Sequence, residues 1–253
     1  MDLFALDGRV AVVTGGNGGI GLGMAKGLAR AGASIVVAAR DPKKNKAAVR
    51  ELEALSAQVL AVETDVRQTE SCQTLFSKAA EAFGAVDILI NNAGMNVRLQ
   101  PEEYDIDSWN TVLETNLTSA MLCSKYAHPL MARQGGGKII NIGSMMSIFG
   151  APFASAYAAS KGGIVQFTKA CASAWAKDNI QVNTILPGWI KTDLTSPIES
   201  LFPDRFDIIN RRIPIGRWGE PEDLIGVTIF LASFASNYLT GASIPVDGGY
   251  SSF

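Results

Sequence analysis

Thr14 to Gly21 reads TGGNGGIG, and what flanks it decides the fold. Arg9 to Val13, a short β-rich run, leads into it, and Met24, Leu28 and Ala31 follow at helical spacing. The local reading is therefore strand, turn, helix. A glycine cluster by itself marks only a turn, but between a strand and a helix its members gain separate tasks. Gly15 can turn the chain, Gly19 lets backbone approach an anion, and Gly21 allows close helix packing. The N-terminus of the helix then stabilises negative charge, which suits the pyrophosphate of a nucleotide.

The same alternation continues outward. Ser34 to Ala38 reads as a second strand, and Asp41-Pro42 breaks the chain before a helix carrying Val49, Leu52 and Leu55. Gln58 to Val62 fits a third strand, Ser71 to Phe83 a helix and Val86 to Ile90 a fourth strand. A long helix is predicted from Ile106 to Met131, broken near Pro129, with a strand at Lys138 to Ile142. Ser155 to Ala176 reads as a second long helix, rich in small residues, and Ile180 to Leu186 as a strand ending at Pro187-Gly188. Pro221 to Ala232 and Ala242 to Val246 supply the last helix and strand. Weakly charged strands separated by amphipathic helices predict a single α/β domain over residues 1–253, its mostly parallel sheet covered on both faces. Between Ile190 and Arg217 the periodicity weakens, with Pro197, Pro203 and Pro214 interrupting it. That segment is either a substrate-covering insertion or an ordinary surface connection.

Composition narrows the function classes. Of 253 residues, 47% are hydrophobic and 18% charged, enough apolar material for a large core. Lys plus Arg number 22 against 24 acidic residues, without a basic tract, which argues against nucleic acid as a partner. Cys72, Cys123 and Cys171 are widely spaced and His128 stands alone, so no metal site is expected and the thiols read as structural. MDLFALDGRVAVV lacks a basic leader followed by an apolar run, and no segment reaches membrane-spanning length. The expectation is a cytoplasmic protein with no membrane partner.

Further motifs fall where strands end. Asn91-Asn92-Ala93-Gly94 follows the fourth strand, Asp65-Val66 the third, and Pro187-Gly188-Trp189-Ile190-Lys191-Thr192 the sixth. Ser144 closes NIGS, and Tyr157 and Lys161 lie four residues apart in YAASK, so both can face one pocket. Alone, Tyr157 reads more readily as a satisfied core phenol and Lys161 as a surface cation. With Thr14-Gly15-x-x-x-Gly19-x-Gly21 and Asn116 of TNL, these elements resemble the short-chain dehydrogenase/reductase family along essentially the whole chain.

That resemblance implies a Rossmann-type doubly wound sheet of seven strands, a nicotinamide cofactor along its C-terminal edge, and a homo-tetramer or dimer. It makes Asn116, Ser144, Tyr157 and Lys161 a catalytic tetrad, with Tyr157 thirteen positions after Ser144 as the family has it. Interconverting a carbonyl and a secondary alcohol moves a hydride at carbon and a proton at oxygen. Tyr157 would exchange that proton, its pKa lowered by Lys161 and by the oxidised nicotinamide. Ser144 would hydrogen-bond the substrate oxygen, and Asn116 would hold a water connecting Lys161 to bulk. Lys161 would also hold ribose hydroxyls. Gly15, Asn17, Gly19, Ile20 and Gly21 of the turn are the implied phosphate contacts. Asp65 and Val66 border adenine, although Asp65 reads equally as a helix cap. Asn92, Ala93 and Gly94 border the cofactor, and Asn92 also reads as a backbone clamp. Pro187, Gly188, Ile190 and Thr192 are expected beside the carboxamide and pyrophosphate.

Ala39-Arg40-Asp41 bears on the choice of cofactor. Ala39 stands where NAD-using members usually place an acid, and Arg40 where NADP-users place a base able to pair with the 2′-phosphate. Asp41 opposes this by offering Arg40 another partner, unless it caps the next helix, and Gly18 stands where the family's second basic contact often lies, for which Lys43 and Lys44 either compensate in part or form only a solvated face. NADP(H) is therefore favoured, with NAD(H) left open. Met95, Asn96, Met145, Met146, Phe149, Phe153 and Trp189 are candidate pocket residues for a small carbonyl or alcohol, and Arg98 or Lys191 could attract a carboxylate. RRIPIGRWGEPEDLIGVTIFLAS and TGASIPVDGG resemble members acting on sugar acids. The 3-oxoacyl-carrier-protein reductases, cyclic ketone or steroid reductases, and a non-catalytic nucleotide sensor are the alternatives.

Overall fold

The computed structural model describes residues 3–193, 195–196, 198 and 203–252. Its strands are β1 (Val10–Thr14), β2 (Ser34–Ala39), β3 (Val59–Glu63), β4 (Ile88–Asn91), β5 (Gly137–Ile142), β6 (Ile180–Pro187) and β7 (Ser243–Val246). They form one sheet in the order β3-β2-β1-β4-β5-β6-β7, every neighbouring pair parallel. This is the single Rossmann-type α/β domain expected. Alternate residues feed opposite cores: Val10, Val12, Val36 and Ala38 enter one cluster, while Ala11, Val13, Ile35 and Val37 enter the other.

Helices cover both faces. Helix α1 (Gly19–Arg30) brings Met24, Ala25 and Leu28 to one core, joined by Leu52 of α2 (Pro42–Glu53). On the opposite face, α3 (Thr69–Phe83), α5 (Ser119–Arg133) and α6 (Ser155–Trp175) contribute Leu75 and Phe76, Cys123 and Ala127, and Cys171 and Ala172. Chain order reverses direction between β1 and β4, and their helices leave on opposite faces, which opens a crevice above the strands' C-terminal ends.

Two expectations are corrected. The predicted helix from Ile106 to Met131 is interrupted at Glu114–Thr118, where a π turn separates α4 (Ile106–Leu113) from α5, and not at Pro129. At the turn the Ser119 amide reaches back five residues to the Glu114 carbonyl. Pro129 is tolerated because it is exposed, and the carbonyl four residues earlier belongs to Lys125, itself exposed, where solvent can stand in for the missing donor. Pro203, read as an interruption, instead opens α7 (Pro203–Arg211), since a missing N–H costs nothing at the first helical position. Pro197 lies outside the described residues, as do Met1 and Asp2. Pro221 likewise opens a turn of 3₁₀ helix leading into α8 (Ile225–Ala232), capped reciprocally by Glu220 and Asp223.

A buried polar chain ties the centre of the sheet to its covering helices. Asn91 donates to Asn141 Oδ1 at 2.8 Å and to Ser124 at 3.1 Å, Asn141 donates to Thr168 at 2.8 Å, and Thr184 donates to Thr168 at 2.7 Å. Cys72 and Cys123 are free thiols, 3.9 Å apart in the core, and Cys171 is also free. Among the described residues no group of three His, Cys, Asp or Glu side chains could hold a metal, and no helix is long and apolar enough to cross a membrane. Asn141→Ala would remove one of two hydrogen bonds from each of Asn91 and Thr168 in a buried site, leaving only those to Ser124 and Thr184, and each lost partner costs ~1–3 kcal/mol. Urea unfolding should therefore show a loss of roughly 2–4 kcal/mol with an unchanged m-value.

Candidate active site

The crevice is held by one side-chain clamp. Thr14 Oγ1 accepts from the amides of Asn92 (2.9 Å) and Ala93 (3.1 Å) and donates to the Ile90 carbonyl, while Asn92 Nδ2 donates to the carbonyls of Thr14 (3.0 Å) and Gly15 (3.3 Å). Gly15 has φ +64°, and a Cβ there would lie 2.9 Å from Asn92 Nδ2. At Gly21 a Cβ would lie 2.2 Å from the Gly15 carbonyl oxygen. The clamp therefore excludes side chains at both glycines. Beside it, α1 follows its N-cap Gly18 with no side-chain cap and no acid in its first turn, so its leading amides stay available to an anion. This observation is what fits a dinucleotide here.

All the proposed cofactor contacts line two adjoining clefts. Gly19, Ile20, Gly21, Asn92, Pro187, Gly188, Ile190 and Thr192 line the first, of about 360 Å³, together with Tyr157 and Lys161. Arg40, Asp65 and Val66 line the second, of about 500 Å³, and Gly15, Asn17, Ala93 and Gly94 border both. At the far end Asp41 is spent as the N-cap of α2, accepting from the amides of Lys43 (2.9 Å) and Lys44 (3.1 Å), and the Lys44 amide foremost holds its carboxyl below the usual range. Exposed Arg40 makes no ion pair among the described residues. Asp65 does not cap α3, whose N-cap is Gln68. Its carboxylate instead takes both Nε and Nη2 of Arg67, and this guanidinium holds its pKa down. Lys44 lines the clefts, whereas Lys43 does not.

Ser144 and Tyr157 lie where the first cleft meets a third cavity, Lys161 lines the first cleft only, and Asn116 is buried behind them. Lys161, 4% exposed, donates to the Ile142 carbonyl at 2.7 Å, with Nζ 5.7 Å from the centre of the Tyr157 ring. Burial brings its ammonium down to about 8. Burial also raises the Tyr157 phenol, opposed by the Ser144 hydroxyl and the charge of Arg98. The expected depression by Lys161 thus yields to desolvation as the leading influence. Asn116, delivered by the π turn, uses its amide fully as a donor: Nδ2 donates to the Met95 carbonyl (2.9 Å) and Ser160 Oγ (3.0 Å), while Oδ1 accepts from the Met95 amide (2.8 Å).

The third cavity, of about 310 Å³, is lined by Ser144, Tyr157, Asn96, Arg98, Met145, Met146, Phe153 and Trp189. Two sequence candidates fall elsewhere: Met95 borders the nucleotide cleft, and Phe149 packs behind the cavity against Tyr250. Lys191 pairs with Glu220 at 2.8 Å and does not line the cavity.

The family model described as enoyl-(acyl carrier protein) reductase matches residues 15–251. The 2-dehydro-3-deoxy-D-gluconate 5-dehydrogenase of Escherichia coli (strain K12) is 41% identical over 252 residues, covering 99% of this chain and 98% of that protein. The chain belongs to the short-chain dehydrogenase/reductase family. A gluconate 5-dehydrogenase from Gluconobacter oxydans (strain 621H) is 36% identical over 250 residues, covering 98% of this chain and 96% of that protein. The crystal structure of a gluconate 5-dehydrogenase from Burkholderia cenocepacia J2315, in complex with NADP and tartrate, superposes with a TM-score of 0.94 at 36% identity, covering 100% and 98% of the two chains.

Sequence reasoning passed over several supports of this short-chain dehydrogenase site. Ser147 accepts from the Ser144 amide (3.1 Å) and donates to the Lys161 carbonyl (2.7 Å), fixing the loop after β5 to α6. Ser160 carries the Asn116 amide on to the Tyr157 carbonyl at 2.7 Å. Buried Asn45 joins Asn17 (2.8 Å) to the Ala39 carbonyl (2.9 Å). Only Ser147 had a local signal, three residues beyond the Ser144 cap. Moving Lys161 from 10.5 to about 8 corresponds to a burial cost on the order of 3 kcal/mol. Because the folded value is depressed, the unfolded chain binds more protons between about pH 8 and 10.5, and this cost, constant below that window, disappears as pH rises through it. The stability of Lys161→Met relative to the parent should therefore fall as pH climbs from 8 to 10.5. A difference flat across that range in thermal melts would contradict the buried charge.

Proposed function

We propose that this enzyme is an NADP(H)-preferring dehydrogenase/reductase interconverting a carbonyl and a secondary alcohol on a sugar acid or related hydroxy acid. The observation that carries the cofactor choice is the division of labour in Ala39-Arg40-Asp41. Ala39 presents no ribose acceptor, Asp41 is committed to the α2 amides, and Arg40 keeps its fork for a phosphate. Arg67 adds a second guanidinium to the same cleft. The NADP held by the Burkholderia cenocepacia enzyme supports the same choice. For the substrate, Arg98 lines the cavity near Tyr157, where it can attract a carboxylate, and the sugar-acid relatives point the same way.

The nicotinamide supplies or accepts the hydride when bound. Tyr157 exchanges the proton with the substrate oxygen, and Ser144 hydrogen-bonds that oxygen as charge develops on it. Lys161, anchored at Ile142, supplies positive charge beside the phenol and would hold the ribose hydroxyls of a bound cofactor. Asn116 fixes the Met95 backbone, and a water linking Lys161 to bulk would bind at the remaining lone pair of its Oδ1, beside Gly94. Asn92 serves chiefly as the clamp of the crevice. The reading of segment 190–217 as substrate-covering is supported by its described residues Thr195, Ile208 and Ile209 in the cavity wall. A cytoplasmic homo-tetramer or dimer completes the reading, supported by buried free thiols and by the exposed side chains Ile106 (67%) and Met121 (41%) on the α4–α5 unit.

Screening sugar acids, cyclic ketones and acyl thioesters with both cofactors tests the substrate class, and turnover confined to acyl thioesters would overturn it. Tyr157→Phe should lower kcat by roughly 10²–10⁴-fold while dinucleotide binding persists. Arg40→Ala should lower kcat/KM with NADPH by roughly 10–100-fold and leave NADH almost unchanged. Equal losses with both cofactors would remove the phosphate role.

A further inference from the structure

The substrate cavity is closed on one side by residues far apart in the chain: Ile208 and Ile209 of α7, and Tyr250, beyond the end of β7. Tyr250 is held edge-on against Phe149 (6.2 Å, 75°) and Trp189 (6.5 Å, 70°), and its amide donates to the Asp247 carbonyl at 3.2 Å. Arg212, the residue after α7, lays its guanidinium 4.3 Å from the centre of the Tyr250 ring and 4.9 Å from that of Phe149. Its Nη1 also donates to the Tyr250 hydroxyl at 3.4 Å. One cation thus ties the covering helix to the C-terminal tail, while Arg212 itself is not in the cavity lining.

The bond leaves an asymmetry on the phenol. Arg212 fills an acceptor lone pair of the hydroxyl, and among the described residues nothing accepts its proton. A donor in a mostly apolar wall is costly unless a ligand oxygen meets it, and an adjacent guanidinium makes the O–H a stronger donor. We propose that Tyr250 is a specificity-determining residue, donating its proton to a hydroxyl or carboxylate oxygen of the substrate, and that Arg212 is the positioning residue that aims it. This rests on the hydroxy-acid reading above. A purely apolar ketone would offer no second oxygen to the phenol.

The test uses the full-length enzyme with NADPH or NADP and whichever hydroxy acid it turns over, alongside an analogue of that substrate lacking one hydroxyl. Tyr250→Phe should raise KM for the hydroxylated substrate roughly tenfold or more, with kcat and the KM for dinucleotide nearly unchanged. It should also erase the parent's preference over the deoxy analogue that lacks the recognised group. Arg212→Ala should shift KM in the same direction, and Arg212→Lys, which keeps the cation, should recover part of the loss. If Arg212→Ala fails to fold, the Tyr250→Phe and Arg212→Lys pair decides. Unchanged KM and unchanged preference over every deoxy analogue in Tyr250→Phe would overturn the proposal, as would Arg212 variants that lose kcat, KM and dinucleotide affinity together. A parent enzyme that turns over no hydroxy acid would instead overturn the substrate reading, and the preference of Tyr250→Phe among ketones with and without a second oxygen would still decide the role of the phenol.

Discussion

The crevice between β1 and β4 depends on the hydroxyl of Thr14 and the carboxamide of Asn92 holding two loop backbones together. Parallel strands whose helices leave on opposite faces have unsatisfied backbone at this point and nothing intrinsic to keep the loops in place. The clamp satisfies those groups internally and leaves the α1 amides facing outward. It also makes the turn intolerant of side chains, because the Asn92 amide occupies the space a Cβ would need at Gly15 and Gly21. Backbone economy at the clamp and anion affinity at the helix end are therefore two aspects of one arrangement.

Cations are distributed unequally around the site. Arg40 is exposed and mobile in principle, suited to capturing a charged group from solvent, whereas Lys161 is buried against the Ile142 carbonyl and carries the cost of desolvation. The protein tolerates that cost because the ammonium is positioned before any ligand arrives, so little reorganisation is needed during the reaction. Arg67 is intermediate, bound to Asp65 yet still at the cleft wall. On the function proposed above, selectivity for the cofactor would lie at a solvated rim and proton chemistry beside a buried ammonium.

Much of this was readable along the chain because strand–turn–helix units carry local signals. Val10–Thr14 and the glycines after it announce themselves by neighbours within twenty residues, and Tyr157 and Lys161 share a helix face by spacing alone. Asp41 could be weighed but not resolved, since whether a carboxylate caps a helix or pairs with Arg40 depends on the direction its side chain takes in the loop, which spacing along the chain does not set. Tyr250, Ile208 and Ile209 were silent because they reach the cavity through tertiary packing, with no pattern in their own segments. Pro203 and Pro129 misled for one reason: proline breaks a helix only where its absent N–H or its ring is in conflict, and position within the helix decides that.

The π turn at Glu114–Thr118 has a consequence for how the chain tolerates insertion and deletion. A π turn is one residue too many for an α-helix, so α5 starts out of phase with α4 by about a quarter turn. The buried row Cys123, Ala127 and Met131 joins the core against the sheet in the phase set by that surplus residue. Removing it would join α4 and α5 into a smoother helix by local criteria while rotating this row toward solvent. At this position the more regular helix is the one the fold cannot use, and the irregularity that carries Asn116 to the site also keeps α5 in register with its core.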